Sequence, residues 1–393
     1  MSTSETAAVP GTALGTAPVI GAGLGLEPRV GVVGADVPRQ IVLACGAVPA
    51  RILGSWTGAV SQESTELLGA TDAVAARVLN EILSGAHDEL AGLVVCNDSM
   101  ADLRVYYVLR ILAERGRVPF PVHFLDAPRG GGDHRRRFVS HQYERLAAFT
   151  SGITGHQADA TSLAGAAARE AELGAALEAV RGRRREGVLS GTTALTAYRA
   201  AAQLSPEDAL ERITDLVRSE TLDRGASEPV ERDGSAEPAA AGVPVYVTGS
   251  SHPDATVYTE LEAAGAIVVG EDHDAGDAAW IGDTVTAATL AEACAVLAAR
   301  HAARPPAAAR SLSSERTDHL LAETERCGAA GVVALVRDLD DGPVWDLADH
   351  RPALAGRNLW LAEQLRVPAG GVQDAAAGIL HTLSQNVNRK DAP

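Results

Sequence analysis

Carboxylates collect behind the apolar runs of this chain. Residues 331–336 (GVVALV) lead directly into Arg337-Asp338-Leu339-Asp340-Asp341, and residues 266–270 (AIVVG) into Glu271-Asp272-His273-Asp274. Hard carboxylate oxygens suit a divalent cation, so Asp338, Asp340 and Asp341, joined by His252, His273 and Asp274, have the right donor types. Acidic turns are more often plain solvated surface, and no metal site is assigned to them. A third run, residues 92–96, is followed by Asn97-Asp98-Ser99. These could meet a carbonyl or a phosphate at free backbone N–H groups, or Asp98 or Ser99 could simply cap a helix. Thr248-Gly249-Ser250-Ser251 is small enough to cradle a phosphate but lacks both the GxGxxG and the P-loop spacing. Four arginines between 129 and 137 could hold phosphates, although such a run is more often a solvated helix start. Trp56 follows an apolar segment and could line a pocket or pack in a core.

These residues must be placed by the elements before them. The spacing predicts strands at 48–54, 92–96, 121–125, 243–247, 266–270, 331–336 and 367–372, with a polar loop at 61–68. Helices are expected at 39–44, 73–84, 100–115, 255–264, 290–301, 318–328, 358–365 and 375–386. Strand, loop, helix, strand at this interval means βαβ units and a parallel sheet. Ligands in such sheets sit at the carboxyl edge, where the residues above stand. From 138 to 220 the chain reads as helix throughout, with Asp159 or Thr161 as a cap and a capping box at residues 205–208. Residues 221–242 are Gly, Ser, Pro, Glu and Ala and read as a linker. The expected architecture is α/β: two tandem doubly wound parallel-sheet (Rossmann-like) domains, 28–220 and 243–386, the first carrying a helical insertion at 138–220. A disordered leader at 1–27 and a tail at 387–393 flank them.

Composition narrows the function. The chain has 393 residues, 46% hydrophobic but only 4% aromatic, so its cores are Ala, Val and Leu. A net charge of −17 argues against nucleic-acid binding, which needs a basic footprint. The four cysteines (Cys45, Cys96, Cys294, Cys327) are far apart and form no CxxC, which suits a reducing compartment. No apolar stretch is long enough for a membrane span, and a cytoplasmic location is expected.

Seven segments in order resemble the 2-hydroxyacyl-CoA dehydratase family, which includes benzoyl-CoA reductase subunits. They are ACGAVPARILG (44–54), GLVVCNDSMADLRVYYVLR (92–110), HFLDAPR (123–129), residues 141–159, VPVYVTGSSHPD (243–254), AGAIVVGEDHDAGD (264–277) and GVVALVRDLDDGPVWD (331–346). The resemblance implies two α/β domains around a cleft, pairing with a family member as homo- or heterodimer, and a CoA thioester as ligand. It also implies a [4Fe-4S] cluster on three cysteines, fed by an ATP-hydrolysing activator, which reduces the thioester carbonyl to a ketyl radical. This chain departs from that pattern at the ligand positions. Ala70-Thr71-Asp72 stands at the first, Asn97 at the second with Cys96 one place early, and Asp340 at the third. His273 or Asp274 replaces a further common cysteine. No iron–sulfur cluster is therefore expected. The expected function is a cluster-free relative that binds an acyl-CoA or related thioester between its domains, as a redox-silent subunit or a non-radical enzyme. A non-catalytic scaffold using the dimer face is one alternative. An ordinary cluster-bearing, ATP-activated dehydratase subunit is the other. The cleft candidates are Trp56, Asn97, Asp98, Ser99, Gly249, Ser250, His273, Asp274, Asp338 and Asp340.

Overall fold

The computed structural model describes residues 27–226, 242–308, 310–368 and 370–390. The expected leader, apart from Glu27, and most of the expected linker lie outside these residues. The first half runs β1 (Arg29–Val33), α1 (Arg39–Ala44), β2 (Val48–Arg51), α2 (Gln62–Leu68), α3 (Ala73–Leu83), β3 (Gly92–Cys96), α4 (Met100–Glu114) and β4 (Val122–Leu125). Four helices follow: α5 (Asp133–Thr154), α6 (Ala160–Arg185), α7 (Gly191–Gln203) and α8 (Pro206–Ala226). The second half is β5 (Val243–Gly249), α9 (Thr256–Ala263), β6 (Ala266–Glu271), α10 (Leu290–Ala302), α11 (Ser313–Cys327), β7 (Gly331–Arg337), α12 (Asp341–Ala355), β8 (Trp360–Val367) and α13 (Val372–Lys390).

Each half folds into a four-stranded parallel sheet, ordered β2-β1-β3-β4 and β6-β5-β7-β8. The two orders are the same. In each, the chain places its first strand inside, its second outside, and then returns to the other flank. That reversal leaves a crevice between β1 and β3 and another between β5 and β7, beyond the strands' carboxyl ends. Inner strands covered on both faces must be apolar throughout, as β3 and β7 are, every residue of each being buried. Ile41, Tyr143 and Leu146 pack with Val30 and Val94 on one face of the first sheet, and Leu79 and Leu109 with Leu93 and Val95 on the other. Tyr258 and Ile379 cover Val245 and Val333 of the second sheet, while Leu320 and Leu354 cover Tyr246 and Val332.

The structure differs from the sequence reading in several elements. The RVGVV segment is the inner strand β1, and residues 62–68 form α2, capped by the Ser61 hydroxyl. Residues 358–365 were expected as helix but lie largely in β8, which pairs with β7 along its length. The residues of β8 (WLAEQLRV) include several good helix formers, and pairing with β7 overrides that weak preference. Of the short strand expected at 367–372, Val367 closes β8 and Val372 opens α13, which continues to Lys390. The acidic turn after β7 starts a full helix, α12, despite Pro343 and Pro352. Two features bear on the domain limits. Helix α8 continues into the expected linker, and α10 packs by Cys294 and Leu297 into the core of the first sheet.

Candidate functional site

Residues at the carboxyl edges of both sheets line one cleft of about 590 Å³. Two glycines shape it: Gly249 ends β5 and Gly34 follows β1. Gly249 has φ +111°, and a Cβ there would sit 2.3 Å from the Leu335 carbonyl oxygen. Gly34 has φ +96°, and its Cβ would meet Asp98 and Cys96 at 2.6 Å. Side chains at both positions are excluded by conformation and by space.

The cleft is acidic, and arginines bind much of that charge. Among the described residues, eight aspartates and three arginines line it. Arg337, the last residue of β7, reaches across to the first half and grips Asp72 in a two-pronged pair at 2.7 and 2.9 Å. The same guanidinium lies 3.4 Å from Asp340 and donates to the Ser251 carbonyl. Arg51, the last residue of β2, makes the reciprocal crossing to Asp274 at 3.1 Å. Arg316 pairs with Asp346 at 2.7 Å and Asp272 at 3.5 Å, and Arg310 approaches Asp98 at 3.7 Å. Burial would raise the Asp274 carboxyl, but Arg51 and the Ser251 hydroxyl hold it at about 2. At Asp102 burial outweighs the Ser99 hydroxyl and Arg51 and carries the carboxyl up to about 6. Burial and the neighbouring Asp36 and Asp102 carboxylates push Asp98 well above the usual range.

Histidines gather at the edge of the second sheet. The Tyr258 hydroxyl lies 2.9 Å from His273 Nε2 and 3.2 Å from Glu271, and Glu271 is paired with Arg184 at 2.5 Å. His252 is fully buried against Trp56, Tyr258 and His273, with ring centroids 5.0–5.3 Å away. Neither nitrogen of His252 has a hydrogen-bond partner, nor do His273 Nδ1 and Asp272 Oδ1. Burial lowers the His273 imidazole to about 4 and His252 further.

The structure brings together six of the ten expected residues as lining: Asp98, Ser99, Gly249, His273, Asp274 and Asp340. Ser99 caps α4 and also donates to Asp102 at 2.9 Å. Ser250 lies just beneath, its hydroxyl donating to Asp340 at 2.6 Å while accepting from the Arg337 N–H. Three expected residues point elsewhere. Asn97 bonds Asp126 at 3.0 Å, Trp56 is buried in the second sheet's core, and Asp338 is exposed on the turn. The phosphate-cradle reading of residues 248–251 is corrected as well. Thr248, Ser250 and Ser251 each donate their hydroxyl to an aspartate, Asp272, Asp340 and Asp274 respectively. Sequence reasoning passed over Arg51, Arg337, Asp102 and Arg316. The signal for the first two was present: a lone arginine closing an apolar strand stands at the sheet's carboxyl edge.

All four cysteines are buried and unbridged. Only Cys96 stands near the cleft, and burial and the carboxylates of Asp98 and Asp36 push its thiol far up. No group of three or more His, Cys, Asp and Glu among the described residues has the arrangement of a metal site. No described helix is long and apolar enough to cross a membrane.

No curated protein matches the chain at a significant level. One family model does, over residues 35–338, a span that takes in most of the cleft lining but ends before Asp340. By that match the chain belongs to the family described as 2-hydroxyglutaryl-CoA dehydratase, D-component.

Proposed function

We propose that this member of the family carries no iron–sulfur cluster and holds an acyl thioester in its inter-sheet cleft, as a redox-silent subunit or a non-radical enzyme. The observation that supports it most is the state of the positions where the resemblance places thiolates. Ala70-Thr71-Asp72, His273 or Asp274, and Asp340 stand at three of them, and Asp72, Asp274 and Asp340 are each already bound by an arginine. Iron–sulfur clusters require soft anionic sulfur, and carboxylates do not replace it. The one nearby thiol, Cys96, is held protonated by its surroundings. The cluster therefore does not fit this donor set, and no step is routed through one.

The cleft's own walls suit an acyl chain. Ile52, Leu53, Val74 and Val78 give an apolar side, and the aspartates and Ser99 a polar one. Its volume falls within the range of small-molecule sites. Trp345, 77% exposed where it lines the cleft, offers a ring for stacking. Two measurements test the proposal. Anaerobic purification with iron and sulfide supplied should give a colourless, iron-free protein; a brown protein with stoichiometric iron would refute the cluster-free reading. Calorimetry with free CoA and butyryl-CoA should show the ester binding more tightly, and no heat from either would refute the thioester reading.

One observation favours a subunit role. Tyr107 and Ile111 are exposed one helical turn apart on α4, an apolar pair suited to a partner. Sizing of the protein alone and with a cluster-bearing family member should show a complex that Tyr107→Glu abolishes.

A further inference from the structure

Resting on the thioester reading, we infer that the acyl group selected at the floor of this cleft carries a protonated amine. Charge supplies the first argument. Carboxylates lining the cleft outnumber the arginines there, and a low-dielectric concavity of one sign concentrates ligands of the other.

Two unpartnered acceptors supply the second, independent one. Asp272 and His273 both line the cleft, each 4% exposed, and Asp272 Oδ1 and His273 Nδ1 have no hydrogen-bond partner. The role of His273 follows from its neighbours. With Glu271 ionised against Arg184, its carboxylate can only accept, so the single Tyr258 proton goes to Glu271. Tyr258 then accepts from His273 Nε2–H, which leaves Nδ1 as a bare acceptor. A buried acceptor without a donor costs about 1–3 kcal/mol, and a ligand that brings donors recovers it. An ammonium group brings three donors and the complementary charge.

The groups that would suit an anion are already engaged. Thr248, Ser250 and Ser251 donate to aspartates. Within the 129–137 run, Arg129 is buried against Asp36 and the Pro305 carbonyl, Arg135 bonds the Arg129 carbonyl, and Arg136 and Arg137 bond Asp133 and His134. The described residues also lack the arrangement of a metal site, so an organic cation is the better complement. The raised carboxyls of Asp98 and Asp102 agree with a site whose counter-charge arrives with the ligand.

The test is calorimetry at pH 8, where Glu271, raised by burial to about 7, is ionised. The probes are β-alanyl-CoA, butyryl-CoA, malonyl-CoA, free CoA and propylamine. The amino ester should bind at least about tenfold more tightly than its neutral isostere, a difference of about 1.4 kcal/mol, with malonyl-CoA weakest. Asp272→Asn keeps an acceptor for Thr248 and should bring that preference to within about threefold. Asp102→Asn, at a less buried position, should lower it in the same direction and serves if the first variant does not fold. Equal affinities, or a preference for malonyl-CoA, would overturn the amine inference and leave the thioester reading standing. Binding of propylamine with no binding of any ester would do the reverse. No binding by any probe overturns both.

Discussion

The two sheets of this protein share one strand order and one kind of glycine exit, yet they present different chemistry to the cleft. The first contributes Arg51, Asp72, Asp98, Asp102 and the Ser99 hydroxyl, and no imidazole among the described residues that line the cleft. The second contributes Arg337, two buried histidines and a carboxylate–tyrosine–imidazole chain. A parallel sheet fixes where its strands end, and says little about what stands there. The same frame can carry an edge of plain ion pairs and one with a buried imidazole, because side chains past the last ladder hydrogen bond leave the sheet intact when they change.

The largest effect that would sharpen this contrast is at the crossing arginines. Arg337→Ala leaves Asp72 and Asp340 near each other without their cation and should cost about 3–5 kcal/mol in urea unfolding. Arg51→Ala, releasing a more exposed pair, should cost about 1–2 kcal/mol. Equal losses would erase the asymmetry between the edges. The glycines come next, each substitution costing roughly 1–3 kcal/mol for the left-handed backbone. Gly249→Ala should exceed Gly34→Ala, since its Cβ meets backbone while the other meets side chains.

The pH dependence should contain terms of opposite sign, of which His273 and Asp102 are examples. His273 has a folded value of about 4 against 6.5, so the unfolded chain binds its proton first. Stability should therefore fall as pH drops from about 6.5 to 4, by on the order of 2 kcal/mol, and His273→Gln should flatten that slope. Asp102 is the opposite case, about 6 against 3.8, so the folded chain holds its proton longer. It should lower stability as pH rises from about 4 to 6. Asp102→Asn should recover on the order of 1 kcal/mol at pH 7, the smallest effect of the series. Chemical denaturation at closely spaced pH values measures both.

The pattern of apolar runs made the parallel sheets and most helices legible, because inner strands have to be apolar on both faces. What it missed has identifiable causes. The β1 segment RVGVV is short and follows a long Gly- and Ala-rich stretch of similar composition. In β8, an outermost strand with one flank open, exposed Leu365 and Arg366 break the buried pattern. Helix α12 carries two prolines, of which Pro343 falls in the tolerated first turn. At the site, the strand exits could be placed but the ion pairs could not. Arg337 and Asp72 are 265 residues apart, and only the packing of one half on the other makes them neighbours.

The reciprocal arginines also make ionic strength a control on entry. Arg51 and Arg337 tie opposite walls together, one from each sheet, so widening the mouth means parting charges rather than exposing oil. Salt weakens the more exposed Arg51–Asp274 tie first and loosens that side of the gate. The same salt also screens the field that draws a cation inward. Entry and retention would then answer to salt in opposite senses, with the fastest loading at an intermediate concentration.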